Sequence, residues 1–522
     1  MDNLWSSNAV DRRRRNGSCT QASEKLSTRP YLGLHLFLLF LSGDCQDTQT
    51  GSRETRWCMV SIVGRGFSRW NMSLVNHLIT LLGPDRVSAR PADLENASHD
   101  ESSCSPSMPQ AVAWPLTTEE VVRVVRCAYE QNIPLTARGA GSSLEGNPIP
   151  VRGGIVLDLS QMNTIVAVHA EDLQVTVQPG IVYNQLNEQL KSYGLFFPPS
   201  PGGSSDVATI GGMVANNASG IYSVKYGGTR DHVKAATVVT GTGEVLQLGT
   251  RSRKTSSGYH LLGLLVGSEG TLGIATTLTL SLVGLPQERR QGAFTFPTEK
   301  MAVMAIAEMM RYGIDLAAVE FLDHRAIAAL NRFQHFGLEE QPTLFIEVHG
   351  SQTSADEVFQ AARAVCEEHH GVVLSLPDGR NPWEIRHFTT RAIQSLNPKA
   401  KTLRTDMGFP VSRLPEIVEQ SYAIAARHGV VLHTFGHAGI GILHALIREE
   451  SEDVTRWAAA SLAKDEIVAF VLSVGGTASG EHGIGLGSRK YTQKEHGAAL
   501  EVMKGIKQLF DPKGILNPGK IW

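Results

Sequence analysis

The stretch GHAGIGILH, Gly436 to His444, sets His437 and His444 at either end of a run of glycines and aliphatics. Farther on, SGEHGIG places Glu481 directly before His482, again among glycines. Two imidazoles and a carboxylate can hold a divalent cation and leave coordination positions open for a substrate. A further histidine beside them can move a proton. The residues alone leave a second reading open, in which two Gly-rich strand ends carry histidine for structural reasons. Histidines at this spacing are more often of that second kind.

Three other Gly-rich stretches suggest a ligand. TARGAGSSLEGN, Thr136 to Asn147, allows positive φ and lets backbone N–H groups point at an anion. It does not open a long helix as GxGxxG does, and it lacks the GK[ST] of a P-loop, so neither a Rossmann site nor a P-loop fits. On its own it is as consistent with a tight turn as with a phosphate nest. PPSPGGSSDVATIGGMVANNASGIYSVKYGGTRDHV, Pro198 to Val233, has a density of Gly, Ser and Asn that packing does not explain. Small residues and amides suit a wall that a flat molecule approaches closely. VGSEGTLGI, Val266 to Ile274, repeats the theme.

The elements that must position these residues follow from pattern. TTEEVVRVVRCAYEQ opens with capping threonines and acids, then runs apolar at helical spacing. PLTARGAG is a short strand entering a glycine turn, GGIVLDLSQMNTIVAVHAEDLQVTVQPG is strand-rich, and IVYNQLNEQLKSYG is an amphipathic helix ended by Gly194. A βαβ-like alternation is expected to about Leu280. From 286 to 470 long amphipathic helices alternate with strands, which suggests an α+β domain with an antiparallel sheet. The remainder is a helix with a Pro/Gly-rich tail.

The totals are those of an ordinary soluble protein large enough for two or three domains. The chain has 522 residues, 42% hydrophobic and 19% charged, with net charge −3 and 51 glycines. The near-neutral balance argues against nucleic acid as a partner. Six cysteines without a CxxC argue against a disulfide scaffold, a zinc finger or an iron–sulfur cluster in this chain, and a reducing compartment is the default. Residues 1–71 differ in texture. DRRRRN precedes YLGLHLFLLFL, an apolar run short of the ~20 residues a membrane span needs. A signal peptide is one reading of that order; an over-extended start, with Met59 or Met72 as the first residue, is the preferred one.

The ordered motifs RGAGS, PSPGGSSDVATIGGMVANNASG, YGGTRDHV and GSEGTLGI resemble the FAD-binding domain of the vanillyl-alcohol-oxidase/PCMH flavoprotein superfamily. GHAGIGILH, SGEHGIG and DPKGILNPGK are similar to its FAD-linked D-2-hydroxyacid dehydrogenase branch, which includes D-lactate dehydrogenase, the glycolate oxidase catalytic subunit and D-2-hydroxyglutarate dehydrogenase. The resemblance runs from about residue 107 to the C-terminus. It implies an α+β protein with a PCMH-type FAD-binding domain at 107–285 and a substrate or cap domain at 286–470. A segment at 471–522 would return to the flavin.

The resemblance further implies a non-covalent FAD, since Ser142 stands where covalent members carry histidine. The pyrophosphate would lie on Arg138, Gly139, Ala140, Gly141, Ser142 and Ser143. The rest of the cofactor would follow Pro199, Gly202 and Ser205, then Ala208, Thr209, Gly211 and Gly212, with Asn216, Ser219, Gly220, Glu269, Gly273, Ile274 and Asn517 nearby. His437, His444 and Glu481 would bind a divalent metal, zinc or manganese, and His482 would be the catalytic base. Arg386 would grip the substrate carboxylate. Thr390 would lie one helical turn on, and Arg404, where hydroxyglutarate enzymes carry lysine, would meet a second anionic group. Ile440 and Ile442 depart from the Asp and Asn that the family carries there, which puts substrate hydrogen bonding, the groups that steady the metal ligands, and activity itself in question. The implied partners are a 2-hydroxyacid substrate and a quinone, cytochrome or electron-transfer flavoprotein as electron acceptor. Iron–sulfur partner subunits would be added in the glycolate oxidase reading, and a homodimer is a further expectation. The implied location is cytoplasmic, peripheral at the inner membrane face, or mitochondrial in a eukaryote. A non-catalytic flavoprotein subunit is the alternative from a different class.

Overall fold

The computed structural model describes residues 64–376 and 381–522, with side chains from residue 73. The expectations for residues 1–63 lie outside the described residues. Helix Gly64–Leu82 already belongs to the folded protein, because Leu74, Leu78 and Leu82 are buried in its first core. That core lies on a four-stranded sheet ordered Val87–Ser88, Ala111–Ala113, Ile155–Asp158, Leu135–Arg138. The last three strands are parallel, joined through helix Thr118–Gln131. The Thr117 hydroxyl caps that helix by accepting from the Glu120 N–H at 3.3 Å.

The expected βαβ alternation stops there. Residues 165–281 instead build a five-stranded antiparallel sheet, ordered Ile165–His169, Gln174–Val177, Ile274–Ser281, Val233–Val239, Val245–Gly249. The turn at Ala170–Leu173, with Leu173 at φ 53°, folds the second strand straight back on the first and leaves no room for a crossover helix. Helices Tyr183–Leu190 and Ile210–Asn216 cover this sheet. Gly194, at φ 68°, ends the first of them after a short 3₁₀ turn.

The cap is a seven-stranded antiparallel sheet. Its order is Val372–Val373, Glu288–Thr295, Thr343–Gly350, Ala318–Leu322, Leu432–Gly436, Ile442–Glu449, Lys401–Gly408. Four long helices (Glu299–Arg311, Gln352–Glu368, Leu414–Arg427 and Val454–Ser473) bury one face of it. Helices His324–Gln334 and Thr389–Ser395 pack with Trp383 on part of the other. The C-terminal tail returns to the first domain: Leu135 donates its N–H to the Ile515 carbonyl at 2.8 Å, and Asn517 donates to the Leu135 carbonyl at 2.7 Å. The first domain therefore takes in elements ahead of residue 107 as well as the tail.

Candidate active site

Strand alternation decides what the cap sheet shows to the FAD-binding domain. Val319, Phe321, Leu443, Ala445, Ile447 and Met407 go to the four-helix core. Their neighbours Glu320, His444, Leu446, Arg404 and Asp406 therefore take the opposite face. Asp406 pairs directly with His444 across adjacent strands, and His444 with Phe435 on the other side. Gly441, at φ 71°, closes the turn between the strands of the two histidines; a Cβ there would sit 2.0 Å from the Phe409 carbonyl. Residues 477–480 run alongside Asp406–Gly408 through two β-bridges and deliver Glu481 and His482 to the same place.

The sequence-predicted triad converges. Nε2 of His437 and Nε2 of His444 each lie 3.3 Å from Glu481 Oε1. The other oxygen, Oε2, accepts from the Ser219 hydroxyl at 2.6 Å. His437 Nδ1 is 2.6 Å from Oε1 of the fully buried Glu320 and serves as the donor, which leaves Nε2 free to face Glu481. Asp406 Oδ2 accepts from the backbone N–H of Glu481 at 2.8 Å and of His482 at 2.6 Å. Its Oδ1, with His444 Nδ1 at 3.4 Å and His482 Nδ1, is buried without a hydrogen-bond partner. The rings of His444 and His482 stack at 4.9 Å.

Two buried carboxylates and the partly buried Glu481 thus surround three imidazoles. Burial opposes protonation of His437, but Glu320 and Glu481 outweigh it and lift its pKa to about 10. His444 is likewise raised against burial, by Asp406 and Glu481. Burial pushes the Asp406 carboxyl up, yet His482 and His444 hold it well below the usual carboxylate range. His482 goes the other way, because burial dominates and lowers its pKa. Two nitrogens and a carboxylate oxygen within 4.8 Å of one another, in a field that demands positive charge, fit a divalent cation. His482, its pKa lowered by burial, lies beside them, and with Asp406 and His444 it forms a second set of ligand atoms within 4.8 Å of one another.

His437, His444, Glu481 and His482 line a cavity of about 530 Å³ whose other walls are the three Gly-rich stretches. Seventeen of the twenty cofactor positions line it; Pro199, Ser205 and Gly220 do not. Gly220 shapes the wall from behind, since at φ 125° a Cβ would lie 1.7 Å from the Ser200 carbonyl. The Ser205 hydroxyl donates to the Gly202 carbonyl at 2.7 Å. The cradle fits a pyrophosphate, because the backbone N–H groups of residues 140–144 find no acceptor among the described residues. The Arg138 guanidinium packs against the loop at Gly141 and donates to the carbonyls of His99 and Asn96 at 2.8 and 3.0 Å. Ser219 holds Glu481, and Asn216 donates to the His482 carbonyl at 3.0 Å. The Glu269 carboxylate accepts from Asn147 at 2.6 Å and from the N–H groups of Ile484 and Gly485 at 2.6 and 2.9 Å. Asn517 donates to the carbonyls of Asn147 and Glu269. Side chains expected to touch cofactor therefore also tie the two Gly-rich walls to the catalytic segment.

Arg386, Thr390 and Arg404 line the same cavity. Arg386 is not a free fork: its Nε and Nη2 lie 2.8 and 2.6 Å from Glu320 Oε2, which leaves Nη1 without a partner among the described residues. Arg386 and Thr390 belong to two short helices, Trp383–Arg386 and Thr389–Ser395, but His387 and Phe388 between them keep αR angles and preserve the helical step. Arg404 makes one long bond, to the Glu101 carbonyl at 3.4 Å. Ile440 and Ile442 do not line the cavity; Ile442 packs against Gly480, just ahead of Glu481. Sequence reasoning missed Glu320, Asp406 and Arg391, which also lines the cavity. The signal for the first was a lone acid in the wholly buried strand AVEFL.

Residues 109–249 match the family model described as FAD binding domain, and 285–521 that of FAD linked oxidases, C-terminal domain. The chain is 35% identical over 458 residues to "Probable D-lactate dehydrogenase, mitochondrial" of Danio rerio, covering 86% of this chain and 91% of that protein. It belongs to the FAD-linked D-2-hydroxyacid dehydrogenase family. A second member of the family, glycolate oxidase subunit GlcD of Bacillus subtilis (strain 168), is 32% identical over 452 residues, 85% of this chain and 96% of its own. The fold is shared more widely. Substrate-bound p-cresol methylhydroxylase superposes with a TM-score of 0.72 at 16% identity, over 88% of this chain and 97% of that one. This family member is thus a flavin-dependent oxidoreductase with a PCMH-type FAD-binding domain. Among its described residues no helix is long and apolar enough to cross a membrane.

Proposed function

We propose that the protein oxidises a D-lactate-like D-2-hydroxyacid to the 2-oxoacid. The observation that carries this reading is the meeting of both histidine Nε2 atoms on Glu481 Oε1 inside the cavity that the FAD-binding loops form. FAD, held non-covalently on the residue 138–143 loop, supplies the acceptor for the hydride on the substrate Cα. Zinc or manganese, held by His437, His444 and Glu481, supplies a Lewis acid that acidifies the 2-hydroxyl.

The chain's own residues do the rest. Nη1 of Arg386 binds the substrate carboxylate, and Glu320 fixes the plane of that guanidinium. Thr390 lies beside it, and Arg404 faces the distal end of the substrate. His482, neutral because it is buried, takes the hydroxyl proton. Asp406 holds the His482 backbone, and so the position of the base. Phe435 and Leu446 give the cavity an apolar floor that limits water.

Likeness to the glycolate oxidase subunit supports a second reading, a catalytic subunit that passes electrons to iron–sulfur partners. In the first reading a quinone, cytochrome or electron-transfer flavoprotein takes them. The Danio rerio relative is named mitochondrial, and a mitochondrial location is proposed if the source is eukaryotic. A dye-linked assay over D-lactate, L-lactate, glycolate and D-2-hydroxyglutarate separates the readings. Highest kcat/KM with D-lactate supports the first, preference for glycolate the second, and silence across the panel a non-catalytic flavoprotein.

A further inference from the structure

Arg404 also lines a second cavity, of about 120 Å³, together with Glu145, Lys464, Lys490, Thr402 and Ser461. Lys464 comes from helix Val454–Ser473 and is only 7% exposed. It makes no hydrogen bond or ion pair among the described residues. Arg404 is equally buried, at 7%, and has only its 3.4 Å bond to the Glu101 carbonyl. Two buried cations with so few partners are strongly disfavoured unless a counter-charge completes the site. The one acid in the wall, Glu145, does not supply it fully. Burial raises its carboxyl to about 7 against the pull of Lys464 and Arg404, so near neutrality it holds a proton part of the time and can donate it. Lys490 is exposed, engaged by Asp465, and adds positive potential from solvent. The Thr402 hydroxyl accepts from Arg448 at 2.7 Å and keeps its O–H as a further donor, whereas Ser461 donates to the Trp457 carbonyl at 2.8 Å.

We propose that this second cavity binds a small oxyanion of the inorganic phosphate class, held between Lys464 and Arg404. Because Arg404 borders both cavities, an anion here draws the guanidinium's charge away from the substrate side. Substrate and oxyanion therefore weaken each other's binding by the same factor. The oxyanion site itself does not depend on the flavin reading; only its coupling to substrate does.

The test is calorimetric titration of the FAD-loaded protein with inorganic phosphate, in chloride buffer and without substrate. The expected result is a single saturable site in the wild type, weakened at least about tenfold in Lys464→Gln (a loss of 1.4 kcal/mol or more). Ser461→Glu, at a half-buried position that tolerates the change more readily, places a negative charge in the cavity and should abolish binding. In turnover assays phosphate should raise KM with kcat unchanged, and Ser461→Glu should be insensitive to it. No phosphate binding to the wild type, or equal binding in both variants, overturns the proposal. Because binding is read without turnover, a protein that binds phosphate yet oxidises no hydroxyacid would count against the proposed function and not against this site.

Discussion

At the residue scale the account rests on a division of labour among three histidines. Replacing His482 with Ala should leave bound metal and FAD unchanged while slowing flavin reduction by about a hundredfold or more, since only the base is lost. Replacing Glu320 with Gln should act differently: metal content falls, with affinity weakened about 10- to 100-fold, because His437 loses its anionic partner and its fixed tautomer. Metal analysis and flavin absorbance of the two purified variants tell these outcomes apart. A third residue gives a pH dependence. Glu145 has a folded-state pKa of about 7 against an ordinary 4.5, so below pH 4.5 both states hold its proton and it costs nothing. As pH rises towards 7 the unfolded chain loses that proton first, and stability falls by up to about 3 kcal/mol by pH 8. Denaturant melts of Glu145→Gln should lack that component of the decline. The triad was legible in the sequence because His437, His444 and Glu481 sit in short Gly-rich motifs. Glu320 and Asp406 were not, because nothing local marks an acid in a buried strand as the partner of a histidine far along the chain.

At the element scale, short-range signals were readable and pairing was not. The Thr117 cap and the Gly194 stop lie where the sequence puts them, since each depends on a few adjacent residues. The five-stranded sheet was misread as βαβ, because strands buried on a covered sheet look alike whether their neighbours are parallel or antiparallel. The C-terminal return was expected, but its register on Leu135 is set by contacts between distant residues. The first helix runs from Gly64 to Leu82, and Leu78 on it is completely buried. Leu78→Ala should therefore cost about 2–5 kcal/mol in a denaturant titration of the holoprotein. A change below about 0.5 kcal/mol would mean that this helix contributes little to the domain.

At the scale of the whole molecule, the cavity exists only because two sheets from different domains face each other across it. The FAD-binding loops supply donors without acceptors on one side, and the cap, with the segment of Glu481 and His482, supplies a carboxylate, imidazoles and arginines on the other. Glu269 and Asn147, with Asn517 of the tail, tie the FAD-binding loops to the segment that carries Glu481 and His482, and that segment is bridged in turn to the cap strand of Asp406, so neither domain forms the site by itself. That arrangement predicts a reductive half-reaction confined to one substrate hand, since the carboxylate, the hydroxyl and the Cα hydrogen must each meet a fixed partner. The most direct measurement is anaerobic stopped-flow absorbance of the FAD- and metal-loaded protein mixed with D-lactate or with L-lactate. The account predicts rapid bleaching of the oxidised flavin by D-lactate and none by L-lactate. Bleaching by both at similar rates, or by neither D-lactate nor any other D-2-hydroxyacid, would contradict it.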